Sequence, residues 1–301
     1  VTAISNGNYF KVRGKDLYVE VYGNADAYPL LYLHGGPGES CYEFSYHQAE
    51  RLKEDFRLIA IDQRGVCRSE KIQGNEHFSI DEIIMDCEAL REELGINRWA
   101  LLGHSFGGYI ALKYATMFPD SITRIVFECP TFDFGLSSRS LLRKMGEICK
   151  EEEMGGLGEK CFMLADSDST AKELMLKFIE IRPEIGEKGM KIHVHNFSHK
   201  TDYSRYTDGE WKRFLERSNV HVNRLIGGGE MFESILSSLK KLKHPSLLIR
   251  GQYDPVTSKE QVMRYQEDVA VANVLTFSNS GHFPHSEEPD KFSKSVVEFL
   301  K

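Results

Sequence analysis

Short apolar runs that read as buried strands alternate with helical stretches at both ends of this 301-residue chain, and the alternation stops once, in the middle. No other feature restricts the fold as much. Strand–helix alternation builds a mostly parallel sheet with helices packed on its faces. The predicted strands are residues 17–22 (LYVEVY), 30–33 (LLYL), 58–61 (LIAI), 99–102 (WALL), 122–127 (ITRIVF), 246–250 (SLLIR) and 274–277 (VLTF). Predicted helices follow at 80–94, 109–117, 258–267 and 289–300. Ser79 and Glu82 have capping-box spacing at the start of the first of these, and Gly95 stops it. Residues 131–241 break the rhythm with charged helical stretches such as 141–154 and 171–181. The expected architecture is a core of residues 1–130 and 242–301 with a mainly helical cap, 131–241, inserted into it.

Composition narrows the function classes. Hydrophobic residues make up 41% and charged residues 28%, which fits a soluble globular chain. No apolar run approaches the roughly 20 residues of a membrane-spanning helix. The net charge of −7 comes without a basic stripe, so nucleic acid and anionic membranes are not expected partners. Residues 1–10 lack the basic-then-apolar order of a secretory signal, and six scattered cysteines without a CxxC read as reduced thiols. A cytoplasmic protein, monomer or small homo-oligomer, is the expectation.

The chemistry sits where predicted strands end. The run Gly103-His104-Ser105-Phe106-Gly107 falls at a strand-to-helix junction, the context that makes Gly-x-Ser-x-Gly a nucleophile elbow. Small flanking residues are needed because a side chain would collide with the adjoining strand or helix. His34-Gly35-Gly36-Pro37-Gly38 follows an earlier strand. Acyl transfer needs donors aimed at a developing oxyanion; the expected donors are the backbone N–H groups of Gly36 and Phe106. Asp254 and His282 each follow a later strand, in the order serine, acid, histidine that this architecture uses. Ser105 is therefore the expected nucleophile, His282 its base and Asp254 the acid that orients the base. His285 is a rival base.

Taken together these residues resemble the α/β-hydrolase superfamily over nearly the whole chain. His34-Gly35-Gly36-Pro37-Gly38 with Asp62-Gln63-Arg64-Gly65 is similar to the proline iminopeptidases and the tricorn-interacting aminopeptidase. The resemblance implies the α/β-hydrolase fold with a helical cap, release of N-terminal residues from short peptides, the triad Ser105, Asp254 and His282, and no metal or organic cofactor. It also implies a carboxylate that holds the substrate amine. Gly227-Gly228-Gly229-Glu230-Met231-Phe232 resembles the family's piece at the cap's end, which makes Glu230 the expected anchor. Some members carry a second glutamate directly after the catalytic aspartate, where this chain has Pro255. Arg64 is expected to brace the oxyanion loop.

An esterase or lactonase acting on small uncharged esters would use the same machinery, and a hydrolase-fold binding protein without catalysis is a third possibility. His193, His195 and His199 read as a polar cap loop, since no carboxylate or cysteine completes a metal site among them.

Overall fold

A computed structural model describes residues 7–301. Residues 1–6, part of the segment read as lacking a signal, lie outside the described residues.

Eight strands form one sheet: β1 (Gly7–Val12), β2 (Lys15–Tyr22), β3 (Tyr28–Leu33), β4 (Phe56–Ile61), β5 (Trp99–His104), β6 (Ile122–Glu128), β7 (Ser246–Gly251) and β8 (Ala272–Phe277). Their order is β1-β2-β4-β3-β5-β6-β7-β8. β2 pairs antiparallel with β1 and β4, and every other pairing is parallel. β1 was not expected, because its polar residues face water at the sheet edge and carry little apolar signal. Every residue of β5, in contrast, is buried, as the near-continuous apolar run of a central parallel strand requires. From β3 the chain turns to β4 on one side, then crosses to β5 on the other. The loops after β3 and β5 diverge there and open a crevice at the carboxyl ends of the strands.

Helices cover both faces: α1 (Tyr42–Leu52), α2 (Ile80–Glu93) and α3 (Phe106–Met117) precede a helical segment between β6 and β7. That segment holds α4 (Phe134–Glu151), α5 (Gly156–Ala165), α6 (Ala171–Ile181) and α7 (Asp208–Gly228). It has its own apolar nucleus, with Leu142, Met145, Cys161, Leu174 and Ile181 all buried. After β7 come α8 (Lys259–Asp268), α9 (Pro284–Glu287) and α10 (Pro289–Leu300). α2 starts where predicted, with Ser79 extended at its N-cap, but the capping box does not form. Glu82 is drawn instead into an ion pair with Arg13 at 2.9 Å.

Candidate active site

Ser105 sits between β5 and α3 with φ 55° and ψ −120°, a backbone conformation that costs a non-glycine residue about 1–3 kcal/mol. Three hydrogen bonds hold it there. The Ser105 N–H donates to the Glu128 carbonyl at 2.9 Å, and its carbonyl accepts from Gly108 at 2.9 Å and Thr131 at 3.2 Å. A Cβ at Gly103 would lie 2.4 Å from the Gly107 carbonyl oxygen, and one at Gly107 would lie 2.0 Å from that of Leu33. The two flanking glycines are thus needed for close packing of strand, elbow and helix, as expected.

The His34–Gly38 loop lies against this elbow. A Cβ at Gly35 would approach the Ser105 Cβ to 2.8 Å. Gly36 lines the cavity in front of Ser105, and Phe106 opens α3, where a backbone N–H has no acceptor within the helix. Gln63 braces the loop: its N–H donates to His34 Nε2 at 3.1 Å and its Nε2 donates to the His34 carbonyl at 3.0 Å. Arg64 does not. Its guanidinium is fully taken up by Asp86, at 2.7 and 2.6 Å, and Glu76, at 2.9 Å. The arginine closest to the expected role is Arg68, which pairs with Asp62 at 2.7 Å and Glu20 at 2.9 Å and reaches the Ser40 hydroxyl. Asp62 in turn accepts from Ser40 Oγ at 2.6 Å and the Cys41 N–H at 3.0 Å, which anchors the chain beyond the loop.

Asp254 and His282 come together. Nδ1 of His282 lies 2.9 Å from Asp254 Oδ1, and both side chains are buried. Burial alone would raise the Asp254 carboxyl. The His282 imidazole and the N–H groups of Val256 and Thr257 outweigh it and hold the group below the usual carboxylate value. His282 and Ser105 line one cavity of about 640 Å³, roofed by residues of the helical segment that include Phe134, Leu141, Phe178 and His193. His285 is elsewhere. Its Nδ1 is 2.9 Å from Glu128, and it does not line this cavity.

The backbone of His282 is pinned from two sides. Its N–H donates to the His193 carbonyl at 2.6 Å, and its carbonyl lies 2.9 Å from His104 Nε2. A Cβ at Gly281 would come within 2.3 Å of the His193 oxygen, so glycine there permits the docking. The buried Glu287 carboxylate adds a clamp, accepting from the N–H groups of His195 at 2.9 Å, Asn196 at 2.8 Å, Gly281 at 2.9 Å and Phe283 at 3.0 Å. His193 lies in a turn, in keeping with the loop reading, but it also lines the cavity beside His282; desolvation, with the His282 charge, lowers its imidazole to about 3. His195 stacks on Tyr253 with ring centroids 3.6 Å apart.

Glu230 is not brought to the cavity. It follows the left-handed Gly229 that ends α7, and its carboxylate pairs with Lys113, which also pairs with Asp81 at 2.7 Å. The acids that do line the cavity are Glu39, one residue past the glycine loop, and Glu43 in the first turn of α1. Sequence reasoning passed over both, although a carboxylate directly after the His34–Gly38 glycine loop was a usable signal. Desolvation by its neighbours would raise Glu39, whose side chain is still 43% exposed, but His104, with its Nδ1 3.6 Å away, and the His282 and His34 imidazoles hold it at about 2. Reciprocally, burial would lower His104, and Glu39 and Glu128 raise it to about 9.

Two buried groups put possible metal-ligating atoms within 4.8 Å of one another: His104, Glu128 and His285, and Cys129, Asp254 and His282. In each, the carboxylate already faces an imidazole nitrogen. Burial pushes the Cys129 thiol up. No helix among the described residues is long and apolar enough to cross a membrane.

Residues 28–289 match the family model described as alpha/beta hydrolase fold. The chain is 35% identical over 294 residues to a proline iminopeptidase of Neisseria gonorrhoeae, covering 88% of this chain and 86% of that protein. It is 22% identical over 285 residues to one from Heyndrickxia coagulans, covering 92% of each. Among solved structures it is similar to a proline iminopeptidase-related protein from Thermus thermophilus. There the TM-score is 0.72 at 21% identity, over 99% of this chain and 97% of the other.

Proposed function

We propose, from the premise that this chain belongs to the α/β-hydrolase family and is proline iminopeptidase-like in sequence, that it is a serine hydrolase and acts as an aminopeptidase on small peptides. One observation carries the reading: His282, held through Nδ1 by Asp254, lines the same cavity as Ser105 on its strained elbow. Ser105 Oγ attacks the scissile carbonyl while His282 accepts its proton. The tetrahedral oxyanion takes hydrogen bonds from the backbone N–H groups of Gly36 and Phe106. His282 then protonates the departing amine, and a water, activated by the same imidazole, hydrolyses the acyl-enzyme. Asp254 keeps the His282 proton on Nδ1 and stabilises the imidazolium. Residues 131–241 act as a cap that shapes the acyl pocket.

A second reading, an esterase or lactonase for uncharged esters, is favoured by the pairing of Glu230 with Lys113 and by the apolar roof of the cavity. A fluorophosphonate probe tests the shared machinery: it labels the wild type and not Ser105→Ala, and absence of labelling overturns both readings. A panel of prolyl-, alanyl- and leucyl-arylamides, their N-blocked forms and p-nitrophenyl esters separates the two. Free-amine arylamides cleaved at least tenfold faster than blocked ones support the aminopeptidase. Equal rates with rapid ester turnover overturn it in favour of the esterase.

A further inference from the structure

A second chamber of about 250 Å³ adjoins the catalytic cavity, and Glu39, Glu43, Tyr203 and Phe283 line both. Three aromatic rings wall it as a mutually packed trio. Tyr42 and Tyr203 have centroids 5.5 Å apart, Tyr42 and Trp211 5.1 Å, and Tyr203 and Trp211 5.5 Å. The rings are fixed by their polar ends: Tyr42 OH donates to the Asp202 carbonyl at 2.7 Å, and Trp211 Nε1 donates to the Tyr203 carbonyl at 2.8 Å. Aromatic faces attract cations; Tyr42 already stacks on Tyr203 and shows a face to the Arg68 guanidinium, 5.7 Å from its centroid, which leaves Tyr203 and Trp211 to meet a ligand.

The polar lining sets two carboxylates against one imidazolium, that of His104. No lysine or arginine lines the chamber among the described residues, whereas two carboxylates do. Glu39 is offset by His104, 3.6 Å away, but Glu43 makes no ion pair among the described residues. Two imidazoles also line the chamber, each almost fully buried and each with one nitrogen, His104 Nδ1 and His285 Nε2, lacking a hydrogen-bond partner. His285 turns Nδ1 to both oxygens of Glu128, at 2.9 and 3.0 Å. In its neutral form the ring's proton therefore lies on Nδ1, and the unpartnered Nε2 is a lone-pair acceptor. Leaving such a group buried and unmet is costly unless something donates to it.

We propose that this chamber is a binding site for a primary ammonium group, held between the Glu39 and Glu43 carboxylates, the His285 Nε2 acceptor and the Tyr203 and Trp211 rings. A primary ammonium brings three N–H donors and a full charge, which suits two carboxylates and a lone pair; a quaternary ion could use only the rings, and a neutral alcohol neither charge. The chamber supplies the amine recognition that Glu230 does not. That this ammonium belongs to a substrate whose carbonyl is at Ser105 rests on the hydrolase reading; binding of a free ammonium does not.

The probe is n-butylammonium chloride, titrated into the full chain at constant chloride, with n-butanol as the neutral isostere. The readout is tryptophan fluorescence, because the chain has two tryptophans, Trp99 fully buried in the core and Trp211 in the chamber. Saturable change with n-butylammonium, at least tenfold tighter than with n-butanol and weakened at least tenfold in Glu43→Gln, is expected. His285→Phe, which fills the wall but removes the acceptor, weakens it as well, and calorimetry of both variants checks that they fold. An absent or non-saturable signal, equal response to n-butanol, or unchanged binding in folded Glu43→Gln overturns the site. The titration involves no turnover, so its failure leaves the Ser105 reading intact, and failed fluorophosphonate labelling leaves the ammonium site intact.

Discussion

Two histidines three residues apart each meet a carboxylate through Nδ1 at 2.9 Å: His282 on Asp254 and His285 on Glu128. Both pairs are buried, and both acids follow or end neighbouring strands, β7 and β6. The difference is what lies beyond the ring. His282 lines the cavity that holds Ser105, while His285 lines the aromatic chamber. A carboxylate-oriented imidazole is thus not by itself a base; to act as one it needs access to a nucleophile, and of the two only His282 shares a cavity with Ser105.

The largest expected effect separates the pairs directly. Asp254→Asn should lower kcat by about 10⁴-fold, because the wrong His282 tautomer then faces Ser105. Glu128→Gln should leave kcat within about tenfold of wild type and act mainly on the melting temperature. Equal losses in steady-state kinetics would erase the distinction between the two pairs.

Next is the Glu287 clamp on the His282 loop. Glu287→Ala strands four backbone N–H groups from 195–196, 281 and 283. At about 1–3 kcal/mol for each donor that stays dry, the loss in thermal unfolding should exceed that of an ordinary surface substitution. kcat should fall too, since the His282 loop loses its tie to the helical segment.

A smaller effect is expected at His104, which lies between the two pairs, its ring 4.7 Å from His282 and 5.2 Å from His285. Its folded value of about 9 exceeds the ordinary 6.5, so its contribution to stability is fully present below pH 6.5 and is lost as pH rises through 9. Melting temperatures of wild type minus His104→Asn should decline across that window; a flat difference would remove the Glu39–His104 ion pair from the account. The smallest effect is expected at Glu230, remote from both pairs. Glu230→Ala breaks a partly exposed ion pair worth about 0–1 kcal/mol and should leave kcat/KM for free-amine arylamides within about twofold. A large rise in KM would restore Glu230 as the amine anchor.

Seven of the eight strands were legible, the central parallel ones as continuous apolar runs and the others as shorter or alternating ones; β1, exposed at an edge, was not. The elbow was legible because Gly103 and Gly107 answer to contacts within a few ångströms of backbone. Arg64, Glu82 and Glu230 meet partners that the sequence did not announce, for a common reason: each is a long charged side chain whose partner (Asp86, Arg13 or Lys113) is set by tertiary approach. His193 hid in a polar stretch and matters through its main-chain carbonyl, which no residue identity announces.

What the sequence determined alone was local: where strands run, where they must end in glycine, and the order in which serine, acid and histidine appear. Backbone sterics and burial periodicity act over a few residues, so short windows record them. The tertiary structure decided which carboxylates enter the cavity, which imidazole meets it, and which loop closes against His282. Charge pairing and docking depend on distances of a few ångströms between segments a hundred or more residues apart, and only the packed fold sets those distances.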